Sequence, residues 1–102
     1  RNQTMLLEGE IDGVTVIVLV DSGASHNFIS KRLLKSLTVQ IIETTPFHIC
    51  MGDGHRVESR GMCKAMKLGL AAEEFDIDAY IFDTTGPDLV LGILWLETLE
   101  YV

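Results

Sequence analysis

The chain has 102 residues, 47% of them hydrophobic, and its 15 acidic and 8 basic side chains give a formal net charge of −7. This length suits one domain, residues 1–102, and the apolar content excludes a disordered chain. The acidic balance, without a basic cluster, argues against a protein that binds nucleic acid backbones.

The first element in chain order is a β-hairpin over residues 5 to 20. Asp12-Gly13 predicts its two-residue turn, because both central positions can take positive φ. The pairs that follow are Ile11 with Val14, Gly9 with Val16 and Leu7 with Val18. The second strand is apolar on both sides through Ile17 to Val20, as in a strand sandwiched in a core. The longest apolar run, residues 16–20, falls far short of the ~18 residues that span a membrane, so we predict no membrane partner.

Asp21 stands at the end of this strand, and the residues after it are all small: Ser22, Gly23, Ala24 and Ser25. Most solvent-facing aspartates lie in polar turns, whereas this one leaves an apolar strand and enters open space. Asp21 is therefore the first candidate for a functional residue. An ordinary turn aspartate is the simplest alternative.

The segment "SHNFISKRLLKSL" predicts a short helix. Ser25 or Asn27 is a candidate cap, and Ile29, Leu33 and Leu37 recur at four-residue spacing. The three positive charges of "SKRLLK" are interpreted as a solvated helix face. The following "VQIIETTPF" is expected to be extended.

A second Asp-Gly pair predicts another hairpin, which should project from the body and flex. Centring its turn on Asp53-Gly54 pairs Met51 with Arg56, Cys50 with Val57 and Ile49 with Glu58. Cys63 lies well past the residue opposite Cys50, so no cross-strand disulfide is expected. Both cysteines are interpreted as reduced and structural, compatible with a cytosolic protein, and no secretory signal peptide is recognised.

The last third of the chain predicts three more strands. "GMCKAMKLGL" and "EEFDIDAYIF" are joined by a tight connection at Ala71 to Glu74, and the second alternates apolar and polar residues with a period of two. "DLVLGILWLETLEYV" predicts a buried strand, Gly92 and a short helix around Trp95, Leu96 and Leu99. The fold class is all-β, a small, mostly antiparallel closed barrel or sandwich with one or two short helices.

Three parts of the sequence together carry a resemblance to a known family. "VDSGASHNFIS" resembles the Asp-Ser/Thr-Gly active-site loop of aspartic proteases, and "DLVLGILWL" resembles the apolar-apolar-Gly strand and helix near their C-terminus. The "MGDGH" hairpin lies between them, where retropepsins carry the flap. The order of these three parts and the length of the chain resemble those of the protease of a gypsy-type long-terminal-repeat retrotransposon. The segment "SGASHNFIS" is similar to plant members of this protease group.

The resemblance implies a retropepsin-like barrel that forms one half of an aspartic protease. It implies a homodimer that cleaves an extended peptide in a retroelement Gag-Pol polyprotein, in the cytoplasm within retroelement particles and without a metal or cofactor. Asp21 would be the catalytic carboxylate, Ser22 would bond across the dimer and Gly23 would let the backbone approach. The implied substrate-binding residues are Ala24, Met51, Gly52, Asp53 and Gly54, the last three forming a mobile lid. Leu91 and Gly92 would pack under the active-site loop.

Several alternatives stay open at this point. Relatives often carry an acid at the position of Leu94, so a catalytically silent module that dimerises or binds partners competes with the enzyme. Ser22 and His26 suggest nucleophilic catalysis, although no G-x-S-x-G elbow surrounds the serine. A metal site is a further alternative, and its candidate ligands are His48, Cys50, His55 and Cys63.

Overall fold

The computed structural model describes residues 3–50, 56–83, 85–92 and 95–96, without the side chains of residues 47, 49, 50 and 57. Within this part the chain forms seven strands and one 3-10 helix. Their bounds in chain order are β1 (Thr4–Ile11), β2 (Val14–Asp21), β3 (Phe28–Ser30), the 3-10 helix (Lys31–Ser36), β4 (Gln40–Cys50), β5 (Arg56–Leu70), β6 (Glu73–Phe82) and β7 (Leu89–Leu91). The predicted all-β class is confirmed.

The strands form a six-stranded closed barrel with one extra strand. Their order is β1-β2-β7-β3-β6-β5, and β1 closes the barrel on β5 through the pair Glu10 and Gly69. β4 pairs with the outer edge of β5 and stays outside the barrel. Two of the pairings, β2 with β7 and β3 with β6, are parallel, and the others are antiparallel. Closure leaves β4 as an edge strand, which pairs on one side only.

The first hairpin has the predicted register, with Ile11 opposite Val14 and the turn residues Asp12 and Gly13 at φ 52° and 76°. The inward side chains of β2, at positions 16, 18 and 20, are buried in the barrel core. Burial on both faces of this strand was also predicted, and that is wrong at Ile17, which is 43% exposed. One face of β2 fills the barrel and the other lies outside it.

The helix predicted from Ser25 or Asn27 onward begins later than expected. Residues 28–30 form strand β3, which lies between β6 and β7 and is completely buried. The 3-10 helix starts at Lys31, and Ser30 precedes it without a side-chain cap. Pairing with two distant strands therefore overrides the four-residue apolar spacing, which had predicted one continuous helix.

The second hairpin exists, but its predicted register is wrong by one residue. Cys50 pairs with Arg56 and not with Val57, and Ile49 pairs with Val57 and not with Glu58. The register also shifts between Glu43 and Phe47, next to Pro46. The predicted turn residues Asp53 and Gly54 lie outside the described residues.

The connection between β5 and β6 is as tight as predicted. Leu70 pairs with Glu73, so Ala71 and Ala72 alone form the turn, with φ of 50° and 71°. The period-two pattern of β6 is confirmed by its buried Ile77 and Ala79 and its exposed aspartates. The amides of Trp95 and Leu96 donate to the carbonyl of Gly92 at 3.1 and 3.2 Å, which begins the predicted helical turn, while Leu99 lies outside the described residues.

Cys63 is a free thiol in the barrel core, as predicted, and its burial raises its pKa to about 11. The thiol is thus protonated at neutral pH and acts as a small apolar core residue. The side chain of Cys50 lies outside the described part. No helix among the described residues is long and apolar enough to cross a membrane.

Candidate active site

Asp21 is the last residue of β2 and lies opposite Thr4 of β1. Successive side chains of a strand point to opposite faces, so Asp21 shares the outer face of β2 with Ile17 and Leu19. The amide of Gly23 donates to Asp21 Oδ1 at 2.8 Å. Within the described part of the chain, Asp21 Oδ2 accepts no hydrogen bond. One carboxylate oxygen is held by the backbone, and the other is available to a ligand.

The residues after Asp21 form a tight turn, in which the amide of Ala24 donates to the Asp21 carbonyl at 3.1 Å. Ser22 binds the beginning of the chain. Its amide donates to the Gln3 carbonyl and its Oγ accepts from the Gln3 amide, both at 3.0 Å. The resemblance implies a bond from Ser22 to a second protomer, and within this protomer its hydrogen bonds go to Gln3.

Gly92 lies directly under this loop, as predicted. A Cβ at this position would be 2.5 Å from the carbonyl oxygen of His26 and 2.6 Å from that of Ala24, and real Cβ atoms do not approach backbone oxygens so closely. Leu91, the residue before it, is completely buried in the barrel core. Glycine is therefore required where β7 passes beneath the loop that carries Asp21.

Asn27 is a positioning residue that the sequence reasoning assigned only as a candidate helix cap. Its Oδ1 accepts a hydrogen bond from the amide of Gly92 at 2.9 Å, and its Nδ2 donates to the carbonyl of Asp78 at 3.1 Å. The amide of Tyr80 in turn donates to the Asn27 carbonyl at 2.9 Å. One side chain thus ties the end of the loop to both neighbouring strands. A polar residue just before a buried run was the only sequence signal for it.

Asp88 and Arg32 form a second support that the sequence did not predict. Asp88 Oδ2 accepts from the amide of Ile17 at 2.7 Å, and the Asp88 amide donates to the carbonyl of the same residue at 3.0 Å. Arg32 pairs with Asp88 at 3.3 Å and also donates to the carbonyl of Gly86 and to Ser30 Oγ. Lys31, Arg32 and Lys35 are exposed, as the interpretation of "SKRLLK" as a solvated face predicts, and Arg32 in addition holds the loop before β7.

The remaining predicted site residues divide into two groups. Ala24 is half-buried and packs against the apolar cluster of Phe28, Phe82 and Val90. Met51, Gly52, Asp53 and Gly54 lie outside the described residues. The structure describes the two strands that lead to them, β4 and β5, which extend to the pair Cys50 and Arg56.

The alternative chemistries gain no support from these positions. Ser22 Oγ bonds to the backbone of Gln3, and the imidazole Nδ1 of His26 lies 2.8 Å from Ser25 Oγ. Among the described residues, no three metal-ligating side chains lie close enough together to hold an ion. Two of the four proposed metal ligands, His55 and the Cys50 side chain, are outside that part.

Comparisons with known proteins agree with this geometry. A family model described as retroviral aspartyl protease matches residues 3–102. The crystal structure of the retroviral protease-like domain of Ddi1 from Leishmania major is similar to this chain, with a TM-score of 0.66 and 22% identity, over 94% of this chain and 77% of that one. At this identity the likeness concerns the fold, and the predicted retropepsin-like fold is confirmed. No curated protein sequence matches the chain at a comparable significance.

Proposed function

Because the chain belongs to the retroviral aspartyl protease family, we propose that it is an aspartic endopeptidase, active as a homodimer. The observation that carries the proposal is the placement of Asp21. Asp21 is the last residue of β2 and lies on the outer face of that strand. One of its carboxylate oxygens accepts a hydrogen bond from the Gly23 amide, and the other accepts none from the described residues. Such a group is fixed in position and can still bind a water molecule.

Peptide hydrolysis requires a water activated for attack and a proton delivered to the departing nitrogen. In aspartic proteases two neighbouring carboxylates share one proton, because like charges at this separation cannot both ionise. The ionised carboxylate takes a proton from the water that attacks the scissile carbonyl, and the protonated one donates to the carbonyl oxygen. The first carboxyl then passes its proton to the departing nitrogen as the C–N bond breaks, and the other carboxylate takes a proton back from a hydroxyl of the hydrate. No covalent intermediate forms.

One chain supplies only half of this pair. Asp-Ser-Gly occurs once in the sequence, at Asp21, and the "DTTG" segment that starts at Asp83 belongs to the loop before β7. A two-fold dimer brings Asp21 of each protomer to the same axis, since the same surface then meets on both copies. The active site is therefore incomplete without a second copy of the chain.

The proposed substrate is an extended peptide in the Gag-Pol polyprotein of a gypsy-type retrotransposon. Met51, Gly52, Asp53 and Gly54 form the lid over the peptide, and Ala24 lies beside it. An extended peptide is held by backbone hydrogen bonds, and its alternate side chains enter pockets. A polyprotein substrate places the enzyme in the cytoplasm, within retroelement particles.

Cleavage of a matching polyprotein fragment by the purified protein, compared with Asp21→Asn, tests the proposal. The variant keeps the size of the side chain but cannot provide an ionised carboxylate, so activity should fall by about 10²–10⁴-fold. Specific activity of the wild type should rise with enzyme concentration until dimers saturate, and sedimentation at the same concentrations should show the dimer. Undiminished cleavage by Asp21→Asn would exclude the carboxylate mechanism.

A second candidate is a module of this fold that dimerises or binds partners without cleaving peptides. The bonds of Ser22 to Gln3 favour it, because a hydroxyl held inside its own protomer is less available to lock two active-site loops together. If the wild type forms dimers in sedimentation but cleaves no peptide at any pH or concentration tested, the binding module is favoured over the enzyme.

A further inference from the structure

Strand β4 and residues 56–64 of β5 form an arm, and two aspartates from other parts of the chain hold its base. At the base, Gln40 of β4 pairs with Lys64 of β5. Thr38 lies two residues before this pair on one side, and Ala65 directly follows it on the other. The backbone amide of each of these two residues donates to an aspartate carboxylate.

Asp12 holds the side of the base that leads into β4. Its Oδ2 accepts a hydrogen bond from the Thr38 amide at 2.6 Å, although the two residues are 26 positions apart. Thr38 lies between the 3-10 helix and β4, outside any strand pairing, while Leu37 and Val39 on either side of it pack against the barrel core. The turn of the first hairpin therefore fixes the backbone at the point where the arm leaves the barrel.

Asp78 holds the side of the base that belongs to β5. The pairing of β5 with β6 is interrupted between Cys63 and Met66. Within this interruption the amide of Ala65 donates to Asp78 Oδ1 at 2.8 Å, and the ammonium of Lys64 lies 3.1 Å from Oδ2. Hydrogen bonds to an ionised carboxylate are stronger than those between neutral groups. The carboxylate thus replaces the strand pairing that is missing at this point.

The backbone of Asp78 also holds the loop that follows Asp21. Its carbonyl accepts a hydrogen bond from Asn27 Nδ2 at 3.1 Å, and Asn27 Oδ1 accepts from the amide of Gly92, which lies beneath this loop. Asp78 is therefore bonded to the loop through its carbonyl and to the base of the arm through its carboxylate. One residue of β6 joins the two parts of the molecule between which the proposed substrate binds.

We infer, resting on the proposed function, that Asp12 and Asp78 are positioning residues that fix the base of the arm relative to the Asp21 loop and so set the width of the peptide-binding cleft. Strand β4 pairs only with β5 among the described strands, so its position depends on that pairing and on the Asp12 bond at its beginning. Loss of either carboxylate frees one side of the base. The cleft then fits the extended peptide less well, although the proposed catalytic carboxylate is unchanged.

Peptide cleavage by two matched pairs of variants tests this inference. Asp12→Gly and Asp78→Ala remove the acceptor, and glycine suits the positive φ at position 12. Asp12→Asn and Asp78→Asn keep an oxygen that can accept the same amide. At concentrations where every variant is folded and dimeric, the first pair should raise KM by about fivefold or more with a smaller change in kcat. The asparagine pair should stay within about twofold of the wild-type KM.

Asp76→Ala is the control for these substitutions. Asp76 is an exposed aspartate two positions before Asp78 on the same strand, and its carboxylate pairs with the ammonium of Lys67. Among the described residues it accepts no hydrogen bond from a backbone amide, so its loss should leave KM unchanged. A residue that contributes only to stability changes the folded fraction and with it the apparent kcat, whereas KM is unaffected. The rise in KM therefore separates positioning from stability.

Amide hydrogen exchange measures the arm without a substrate. In Asp12→Gly and Asp78→Ala the amides of residues 40–45 should exchange faster than in wild type, while those of β2 should keep their rates. An unchanged KM in both variants, or an equal rise of KM in Asp76→Ala, would overturn the inference and leave the protease standing. A wild type that cleaves no peptide would overturn the proposed function, and unchanged exchange in the arm would then overturn the inference as well.

Discussion

The two parts of the molecule that would enclose a substrate are held very differently. The loop of residues 22–27 is bonded to Gln3, Gly92 and Asp78, and lies directly on β7. In the arm formed by β4 and the first half of β5, β4 is an edge strand that pairs only with β5 among the described strands, and its register shifts near Pro46. The first half of β5 is tied to β6 by the pairs from Gly61 to Cys63 and by the bond from Ser59 Oγ to the Ile81 carbonyl. The carboxylate is therefore placed by contacts with several distant strands, whereas β4 is placed by its pairing with one neighbour and by the Asp12 bond at its beginning. Substitutions directly beneath the loop of residues 22–27 should therefore lower the free energy of unfolding most.

The largest effect is expected from Gly92→Ala. The new methyl group would meet two backbone carbonyl oxygens at 2.5 and 2.6 Å, so the loop after Asp21 has to move. Overpacking of this kind costs about 1–3 kcal/mol, and backbone contacts belong at the upper end. Denaturant unfolding should show the loss of stability, and peptide cleavage should fall with it because Asp21 shifts.

Gly69→Ala is the control for this substitution. Gly69 also lies in the sheet, where β5 meets β1, but its nearest contact to an added Cβ is 3.7 Å away, an ordinary van der Waals distance. Its unfolding free energy should change by less than about 1 kcal/mol. Equal stability of the two variants would show that the loop adapts to β7 and is not fixed by it.

Asn27→Ala should have the next largest effect. It removes the acceptor of the Gly92 amide and the donor to the Asp78 carbonyl, and unpaired polar groups at partly buried positions cost about 1–3 kcal/mol. Activity should fall by more than the loss of folded protein explains, because this residue positions the loop. The measurement is denaturant unfolding together with kcat/KM at a concentration where the variant stays folded.

An exposed amide in the arm, Gln40, provides the control for Asn27→Ala. Gln40 is exposed at the start of β4, so Gln40→Ala should change stability by less than about 0.5 kcal/mol and leave cleavage unchanged. If both amide deletions cost the same, the loop would be no better supported than the arm.

The two Asp-Gly turns show how far a sequence predicts register. At Asp12-Gly13 both residues take positive φ, and every predicted pair is correct because the two-residue turn leaves no freedom. At Asp53-Gly54 the same signal predicts a register that is wrong by one residue, because Cys50 pairs with Arg56. The same dipeptide thus predicts the register correctly in one hairpin and not in the other.

In the candidate site, the sequence predicted the residues that a short motif identifies and missed the contacts that depend on distant residues. The Asp21 loop was identified from its own short motif, and the close approach of Gly92 followed from the resemblance. The roles of Asn27 and Arg32 were missed, because their partners, Gly92, Asp78, Gly86 and Asp88, are more than 50 positions away along the chain. The strand at residues 28–30 was missed for the same reason, since both of its neighbours come later in the chain.

A smaller effect, and one that stabilises the protein, is expected at the base of the arm, where the pairing of β5 with β4 ends. Ala65 lies there in a bulge, at φ 54°, a conformation that costs non-glycine residues about 1 kcal/mol or more. Ala65→Gly should therefore stabilise the protein by about 0.5–1 kcal/mol after the larger backbone entropy of glycine is subtracted. Ala79→Gly, at a buried position of the neighbouring strand, should destabilise it. Equal losses in both variants would exclude strain at the bulge.

The smallest effect concerns pH and the same bulge. The amide of Ala65 donates to Asp78 Oδ1 at 2.8 Å and the ammonium of Lys64 lies 3.1 Å from Oδ2, and these contacts lower the pKa of Asp78 below its ordinary 3.8. A carboxyl whose pKa is lower in the folded state stabilises the fold above the unfolded pKa, and this stabilisation is lost as the pH falls through the folded value. Wild type should therefore exceed Asp78→Asn in stability at pH 5 to 7, and the difference should shrink below about pH 4. Thermal unfolding across this range measures it, and a difference that persists at pH 2 would mean that the side-chain amide fails to replace the carboxylate for a reason other than charge.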